Sequence, residues 1–193
     1  MNFENLQNYK EEFETIEEAR LGGKFICENS LEINMQNAYK LIYLNKSIIE
    51  YYYSILSYGI VFESGFCYFV KEYKTDSEAT RYDKQFIDNF IEYIDIHKFL
   101  KTLDSSFISE NNYTFSISAL EERLNKDMEL KTTANKMAFI KKKSTHREFL
   151  EQLLMKLKND GFVESFNSRE GKYRLLKSYK YIEDIIEGIV IDE

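Results

Sequence analysis

Ser144-Thr-His-Arg-Glu-Phe-Leu-Glu-Gln-Leu-Leu-Met-Lys-Leu-Lys-Asn-Asp-Gly-Phe-Val163 reads as one helix that stops and turns into a strand. Thr145 and Glu148 stand three apart, the spacing of a capping box, so a helix is predicted to start there. Phe149, Leu150, Leu153, Leu154 and Leu157 fall on one helical face. Asn159-Asp160-Gly161 ends the helix, because Gly161 can take the left-handed conformation that follows a cap. Phe162 and Val163 open a strand. Asn167-Ser168-Arg169-Glu170-Gly171 turns the chain, and Tyr173 and Leu175 return on a second strand in alternation. A helix that runs through such a stop into a hairpin is the second half of a winged helix. The competing reading is any helix packed on a hairpin.

The same order occurs at the start of the chain. Residues 3–19 carry Leu6, Tyr9, Phe13 and Ile16 on one helical face and glutamates on the other. Gly22-Gly23 breaks that helix, and Lys24 to Cys27 is a short strand. A second helix, Met35 to Leu44, buries Ala38, Tyr39 and Ile42. Ser47 and Glu50 form another capping box, with Ile48, Ile49, Tyr52, Ile55 and Leu56 inward and Gly59 as the stop. Ile60-Val61-Phe62, the turn Glu63-Ser64-Gly65, and Phe66 to Val70 make a hairpin.

Between these ends, Lys74 to Asp83 is polar and reads as a linker. A long helix follows with Phe86, Ile87, Phe90, Ile91, Ile94 and Leu100 inward. Tyr113-Thr114-Phe115 is a short strand. Ser118 and Glu121 form a third capping box before Leu120 and Leu124. About 20 residues from Asn125 to Ser144 exceed what a minimal winged helix needs. Met128, Leu130, Met137 and Phe139 are candidates for the buried side of a further helix there. The tail places Ile182, Ile185, Ile186 and Ile189 at helical spacing among acids.

The predicted fold class is therefore mainly α with small β-hairpins (α+β), as two tandem winged-helix domains. The first spans 1–73 and the linker 74–83. The second spans 84–193, with the insertion and an acidic C-terminal helix.

The composition suits a folded protein: 44% hydrophobic and 16% aromatic. No run approaches the roughly 20 apolar residues of a membrane helix. The N-terminus lacks the basic-then-apolar order of a signal peptide. Cys27 and Cys67 lack metal-ligand spacing and read as buried thiols of a cytosolic protein.

The net charge of −7 is unevenly divided. Residues 1–130 hold 13 basic and 23 acidic side chains, a net −10. Residues 131–180 hold 13 basic and 5 acidic, a net +8, and the last 13 residues carry −5. Such asymmetry points to different partners for different segments. The acidic part suits a protein partner and repels nucleic acid.

No catalytic motif is present. His97 and His146 are far apart, and His97 and Asp95, two apart on a helix, face different directions. His146 falls in the first turn of its helix, in solvent. No phosphate-binding glycine loop, nucleophile elbow or metal cluster occurs, so neither an enzyme activity nor a cofactor is expected.

The basic segment points to DNA. The face of the 145–159 helix opposite the leucines carries Glu148, Glu151, Gln152, Met155 and Lys158. Two carboxylates there oppose entry into a major groove. The cations stand around that helix instead: Lys141, Lys142 and Lys143 before it, Arg147 in its first turn, and Arg169, Lys172, Arg174 and Lys177 on and after the hairpin. Lys172 and Arg174 alternate with Tyr173 and Leu175 and so point outward. That arrangement suits phosphate contact without sequence reading, with steep salt dependence. A solvated lysine-rich surface is the alternative.

Leu21-Gly22-Gly23-Lys24-Phe25-Ile26-Cys27, the helix at Ala38-Tyr39-Lys40-Leu41, the tyrosines Tyr51-Tyr52-Tyr53, Gly59 and the hairpin Phe66-Cys67-Tyr68-Phe69 resemble the kite proteins of SMC complexes. The similarity is to the MukE/MksE branch of bacterial condensins. It extends over the whole chain in layout, with its clearest residues in the first 72. The resemblance implies a non-enzymatic subunit, acting as a homodimer, that binds a kleisin bridging the heads of an SMC-like ATPase. It implies a role in chromosome organisation and segregation or in plasmid defence of the Wadjet kind, in the cytoplasm at the nucleoid. The acidic N-terminal half would then make dimer and kleisin contacts, and the basic hairpin would touch DNA. Two other readings compete. One is a winged-helix transcription regulator, disfavoured by Glu148 and Glu151. The other is a replication initiator, disfavoured by the −10 of residues 1–130.

Overall fold

The computed structural model describes residues 8–72, 91–108, 113–137, 145–167 and 169–188. The protein is mixed α+β with two three-stranded antiparallel sheets. It divides into two compact units, Met1–Ala79 and Thr80–Glu193. Among the described residues no helix is long and apolar enough to cross a membrane.

The first unit runs α1 (Lys10–Gly22), β1 (Ile26–Cys27), α2 (Ile33–Leu44), α3 (Lys46–Ile55), β2 (Tyr58–Glu63) and β3 (Phe66–Lys71). β3 lies between β1 and β2, with Ile26 opposite Cys67 and Val61 opposite Tyr68. Ile16, Ile26, Ala38, Ile42, Ile49, Tyr53 and Cys67 fill its core. Both cysteines are buried and outside any disulfide, and burial pushes the Cys67 thiol up to about 12. The Tyr53 hydroxyl, wholly buried, donates to Glu17 at 2.6 Å, and Arg20 bridges Glu17 at 2.7 Å. Burial pushes the Glu17 carboxyl up, but hydrogen bonds from Arg20 and Tyr53 outweigh it and hold it below its ordinary value.

Four expectations for this unit need correction. Of the five α3 side chains predicted inward, only Ile49 is buried. Ile48, Tyr52, Ile55 and Leu56 are exposed, and Tyr53 is the second core residue. Apolar residues lie on both faces of α3, and the buried tyrosine is the one whose hydroxyl finds a partner. α3 also starts at Lys46, directly behind Asn45, so Ser47 lies inside the helix rather than at its cap. Gly59 ends no helix. It lies in β2 opposite Val70, and Ser57 takes the positive φ of 61° that turns the chain. At the other end of the unit, Tyr9 is the exposed N-cap of α1, and Leu6 is outside the described residues.

The second unit runs α4 (91–103), β4 (Thr114–Ser116), α5 (Ile117–Lys126), α6 (Met128–Lys136), α7 (His146–Asn159), β5 (Val163–Asn167), β6 (Lys172–Leu175) and α8 (Lys180–Gly188). β6 lies between β4 and β5, so the first strand again pairs with the last. α6 is the extra helix. Leu130 on it and Met137 at its C-terminal end are buried, whereas Met128 is exposed. Phe139 is outside the described residues, as are the 74–83 stretch, Phe86, Ile87 and Phe90. Ile91 is exposed, and Ile96, Phe99 and Leu100 form the inward face of α4. β4 passes into α5 without a loop, so Ser116 is the cap, accepting from the Ala119 N–H at 3.2 Å, and the Ser118 box is not used.

A buried carboxylate anchors this unit. Asp104 pairs with Arg123 and accepts from the Tyr113 hydroxyl and the Ser106 N–H. Burial pushes its carboxyl up, but the bonds from Tyr113 and Ser106 and the Arg123 charge hold it below its ordinary value. His97 is buried against the Tyr179 hydroxyl at 3.2 Å. Burial, aided by the Lys101 charge, holds its imidazole below the ordinary value. On α8, Ile182 is buried.

Candidate functional site

α7 forms as its sequence dictates. Thr145 accepts from the Glu148 N–H at 3.1 Å, and Phe149, Leu150, Leu153, Leu154 and Leu157 are all buried. At the far end the Phe162 N–H reaches the Leu157 carbonyl at 2.8 Å and the Gly161 N–H reaches Lys158 at 3.1 Å. That pair of bonds is a Schellman stop, and it needs the φ of 79° at Gly161. The stop aims the chain into β5. Tyr93 of α4 donates to Asp160 at 2.7 Å and fixes the same corner.

The hairpin turn is equally constrained. The Asn167 side chain accepts from the Glu170 N–H at 3.1 Å, and Gly171 has a φ of 60°. A Cβ on Gly171 would stand 2.8 Å from the Ile117 side chain. The register shifts between Ser165 and Asn167, which bends β5 next to the turn.

The candidate cations differ in how far they are already neutralised. Lys141, Lys142 and Lys143 lie outside the described residues. Arg147 bridges Glu151 at 3.1 Å and Glu121 at 3.6 Å. Lys172 bridges Glu170 at 2.5 Å. Arg169 is exposed at the turn, with no ion-pair partner among the described residues. Arg174 is half-buried on β6 beside Thr114 and Glu164 in register, and its Nε has no hydrogen-bond partner. Lys177 opens a short 3-10 turn after β6 and is half-buried. The least neutralised cations are thus Arg169 and Arg174, and exposed Phe166 lies on the same hairpin. On α7 the outward residues Glu148, Glu151, Gln152, Met155 and Lys158 are all exposed.

Among the described residues no group of His, Cys, Asp and Glu could hold a metal ion. A groove of about 290 Å³ between α4 and α6 sets Asp95, Lys98, Asp127, Glu129 and Lys136 around Phe99 and Met137, a mixed-charge cleft without a nucleophile and base in contact. His146 bonds the Asn125 side chain at 2.6 Å rather than standing free in solvent.

A second surface was missed at the sequence level. Tyr43, Leu44, Ile48, Tyr51, Tyr52, Ile55 and Leu56, at the end of α2 and along α3, are all exposed. Scattered exposed apolar residues are ordinary, but Ile48, Tyr51, Tyr52 and Ile55 share one side of α3, and an apolar face of that kind marks a contact surface. Its signal was the surplus of apolar residues in α3, more than one core face can hold.

The family model of the condensin complex protein MksE matches residues 11–186. No curated protein matches the chain. The family match gives no support to a transcription regulator.

Proposed function

The chain belongs to the MksE family of condensin complex proteins, and from that premise we propose that it is a non-enzymatic subunit of an SMC–kleisin complex. In this reading the acidic first unit binds the kleisin that bridges the heads of an SMC-like ATPase. The hairpin of the second unit touches DNA phosphate without reading sequence. The complex acts in chromosome organisation and segregation or in plasmid defence, in the cytoplasm at the nucleoid, and the subunit works as two copies.

One observation carries the proposal. The match over residues 11–186 runs through both units, so the family signal comes from the whole layout and not from one helix-and-hairpin motif. The repeated order of helix, strand, helices and hairpin, each with the first strand beside the last, supports tandem winged helices at 1–73 and 84–193 joined by 74–83. The charge favours separate duties. The +8 of residues 131–180 attracts phosphate, and the −10 of residues 1–130 does not. The carboxylates on α7 keep that helix out of a groove, so contact falls to Arg169 and Arg174 on the hairpin.

Purification of the tagged protein from its own host, with mass spectrometry of what accompanies it, tests the proposal. A long coiled-coil ATPase and a kleisin-like protein are expected in stoichiometric amounts. Recovery alone, or with RNA polymerase, would overturn the condensin reading.

A further inference from the structure

We infer that the ring of Phe166 stacks on a base that has left the helical stack, so that the hairpin of the second unit holds duplex DNA at a locally opened step in preference to fully paired duplex. The inference rests on the DNA-contact reading above and names the form of DNA which that contact favours.

Phe166 is 46% exposed, and among the described residues it is the only exposed phenylalanine. A phenyl ring has no polar tip to satisfy in water, so leaving it open forgoes the burial that every other described phenylalanine has at least in part. The neighbouring ring on the hairpin, Tyr173, is stacked on Phe115 with 5.8 Å between centres. Phe166 has no ring contact among the described residues.

One exposed apolar residue is ordinary by itself. Its place in the ladder is not. Ser165 lies opposite Tyr173 and Asn167 opposite Lys172, so Phe166 is the extra residue that faces none. It is the bulged position of β5, and β5 is an edge strand of its sheet. A bulge at an edge re-aims a side chain at the expense of pairing.

The ring is also held on a fixed support. The Ile117 N–H reaches the Gly171 carbonyl at 3.0 Å, and the Ile117 side chain fills the space where a Cβ on Gly171 would stand. The Glu170 N–H reaches the Asn167 side chain at 3.1 Å. These contacts fasten the hairpin turn to the start of α5, so little ordering remains to be done on binding.

Cations bracket the ring. Arg169 is exposed at the turn, Lys172 lies opposite Asn167, and Arg174 lies one strand pair further, opposite Glu164. Residues 163–177 hold four basic and two acidic side chains, and one of the acids, Glu170, is held by Lys172. An aromatic face between cations is the chemistry that takes a base with phosphates on either side. A fully paired duplex offers the cations its phosphates but hides its base faces. An opened step exposes one, and an apolar wedge then enters at reduced unstacking cost. A binder of bare single strands instead sets several rings along a groove, and this hairpin exposes one.

The test uses the full chain and fluorescence anisotropy with three probes of one sequence: a 30-base-pair duplex, the same duplex with one unpaired thymine, and the single strand. The wild type is expected to bind the duplex with the unpaired base roughly tenfold tighter than the paired one, the scale of one base stacked on a ring. Phe166→Ala should bind the two duplexes alike, with an unchanged circular dichroism spectrum, and Phe166→Tyr should restore the preference. If the wild type binds both duplexes alike, or Phe166→Ala keeps the preference, the stacking is wrong and the phosphate-contact reading survives. Tightest binding to the single strand would also overturn the inference. If the wild type binds none of the three at low salt, both fall.

Discussion

α3 and α7 hold the same place in the order of their units, just before the hairpin, and they turn opposite chemistry outward. α3 shows Ile48, Tyr51, Tyr52 and Ile55, whereas α7 shows Glu148, Glu151, Gln152, Met155 and Lys158. Inward they agree, since each buries apolar side chains into its own core. The core constrains one side of a helix and leaves the other free to specialise. In the first unit that free side suits protein contact. In the second it repels phosphate, and the cations sit on the neighbouring hairpin instead.

Beneath these surfaces each unit is tied by a tyrosine, a carboxylate and an arginine, with the burial reversed. In Tyr53–Glu17–Arg20 the arginine side chain is 13% exposed and the glutamate 36%. In Tyr113–Asp104–Arg123 the aspartate is 7% exposed and the arginine 51%. Removing the carboxylate should therefore cost more in the first unit. Glu17→Ala leaves Arg20 and the Tyr53 hydroxyl buried without it, a loss of about 3–5 kcal/mol. Asp104→Ala lets Arg123 turn to water and leaves mainly the Tyr113 and Ser106 donors unmatched, about 1–3 kcal/mol. Urea unfolding with hydrogen exchange read separately over each unit checks the order. Equal losses would mean that the burial of the surviving arginine does not set the cost.

The same comparison can be made at two glycines with a φ of 60°. An alanine at Gly23 meets open space, and one at Gly171 stands 2.8 Å from Ile117. Both carry the left-handed penalty of roughly 1–2 kcal/mol. Gly171→Ala should lose a further 1–3 kcal/mol or so from overpacking, read as the difference between the two variants by the same method.

On the hairpin, the expected effects follow how far each cation is already paired. Arg169→Glu with Arg174→Glu should weaken binding to any duplex and flatten the salt dependence by about 0.9 for each phosphate no longer neutralised. Lys172→Glu should do less, because Glu170 already holds Lys172. Titration of a random-sequence duplex at several salt concentrations decides it, and equal effects of the two variants would remove the ranking.

The smallest effect concerns pH. The chain has two histidines, His97 and His146, both in the second unit. Folding holds His97 below its ordinary 6.5, so the unfolded chain takes the proton first as pH falls. The stability that neutral His97 contributes is full above about pH 6.5 and is lost progressively below it. Glu17 and Asp104 sit below the ordinary carboxyl values of 4.5 and 3.8, so their contributions fade only at lower pH. Between pH 7 and 5.5 the second unit should weaken and the first should not. His97→Gln should flatten that slope, as exchange rates over the second unit would report.

How much of this was legible differs between the two helices. α7 could be read in full because its signals are local: Thr145 at one end, a leucine stripe, and Gly161 at the other. α3 could not, because Ile48, Ile49, Tyr52 and Tyr53 are all apolar enough for a core. The choice among them is made by Glu17, 36 residues from Tyr53. The caps of α3 and α5 were each misplaced by two residues because α2 and β4 run into those helices without a loop. On the hairpin the outward position of Lys172 was legible, whereas the half-burial of Arg174 was not. The Glu121 carboxylate beside Arg147 was not, since it comes from another helix.

The most direct test of the division between the units reads two properties on the same two variants. Duplex affinity and the recovery of partner proteins from the host are measured for Arg169→Glu/Lys172→Glu/Arg174→Glu and for Tyr51→Glu/Ile55→Glu. The hairpin variant should lose affinity for every duplex and keep the partner proteins of wild type, and the α3 variant should keep its affinity for duplex and lose those partners. A hairpin variant that binds duplex as wild type does at low salt, or an α3 variant that loses duplex binding with its partner proteins unchanged, would contradict the account.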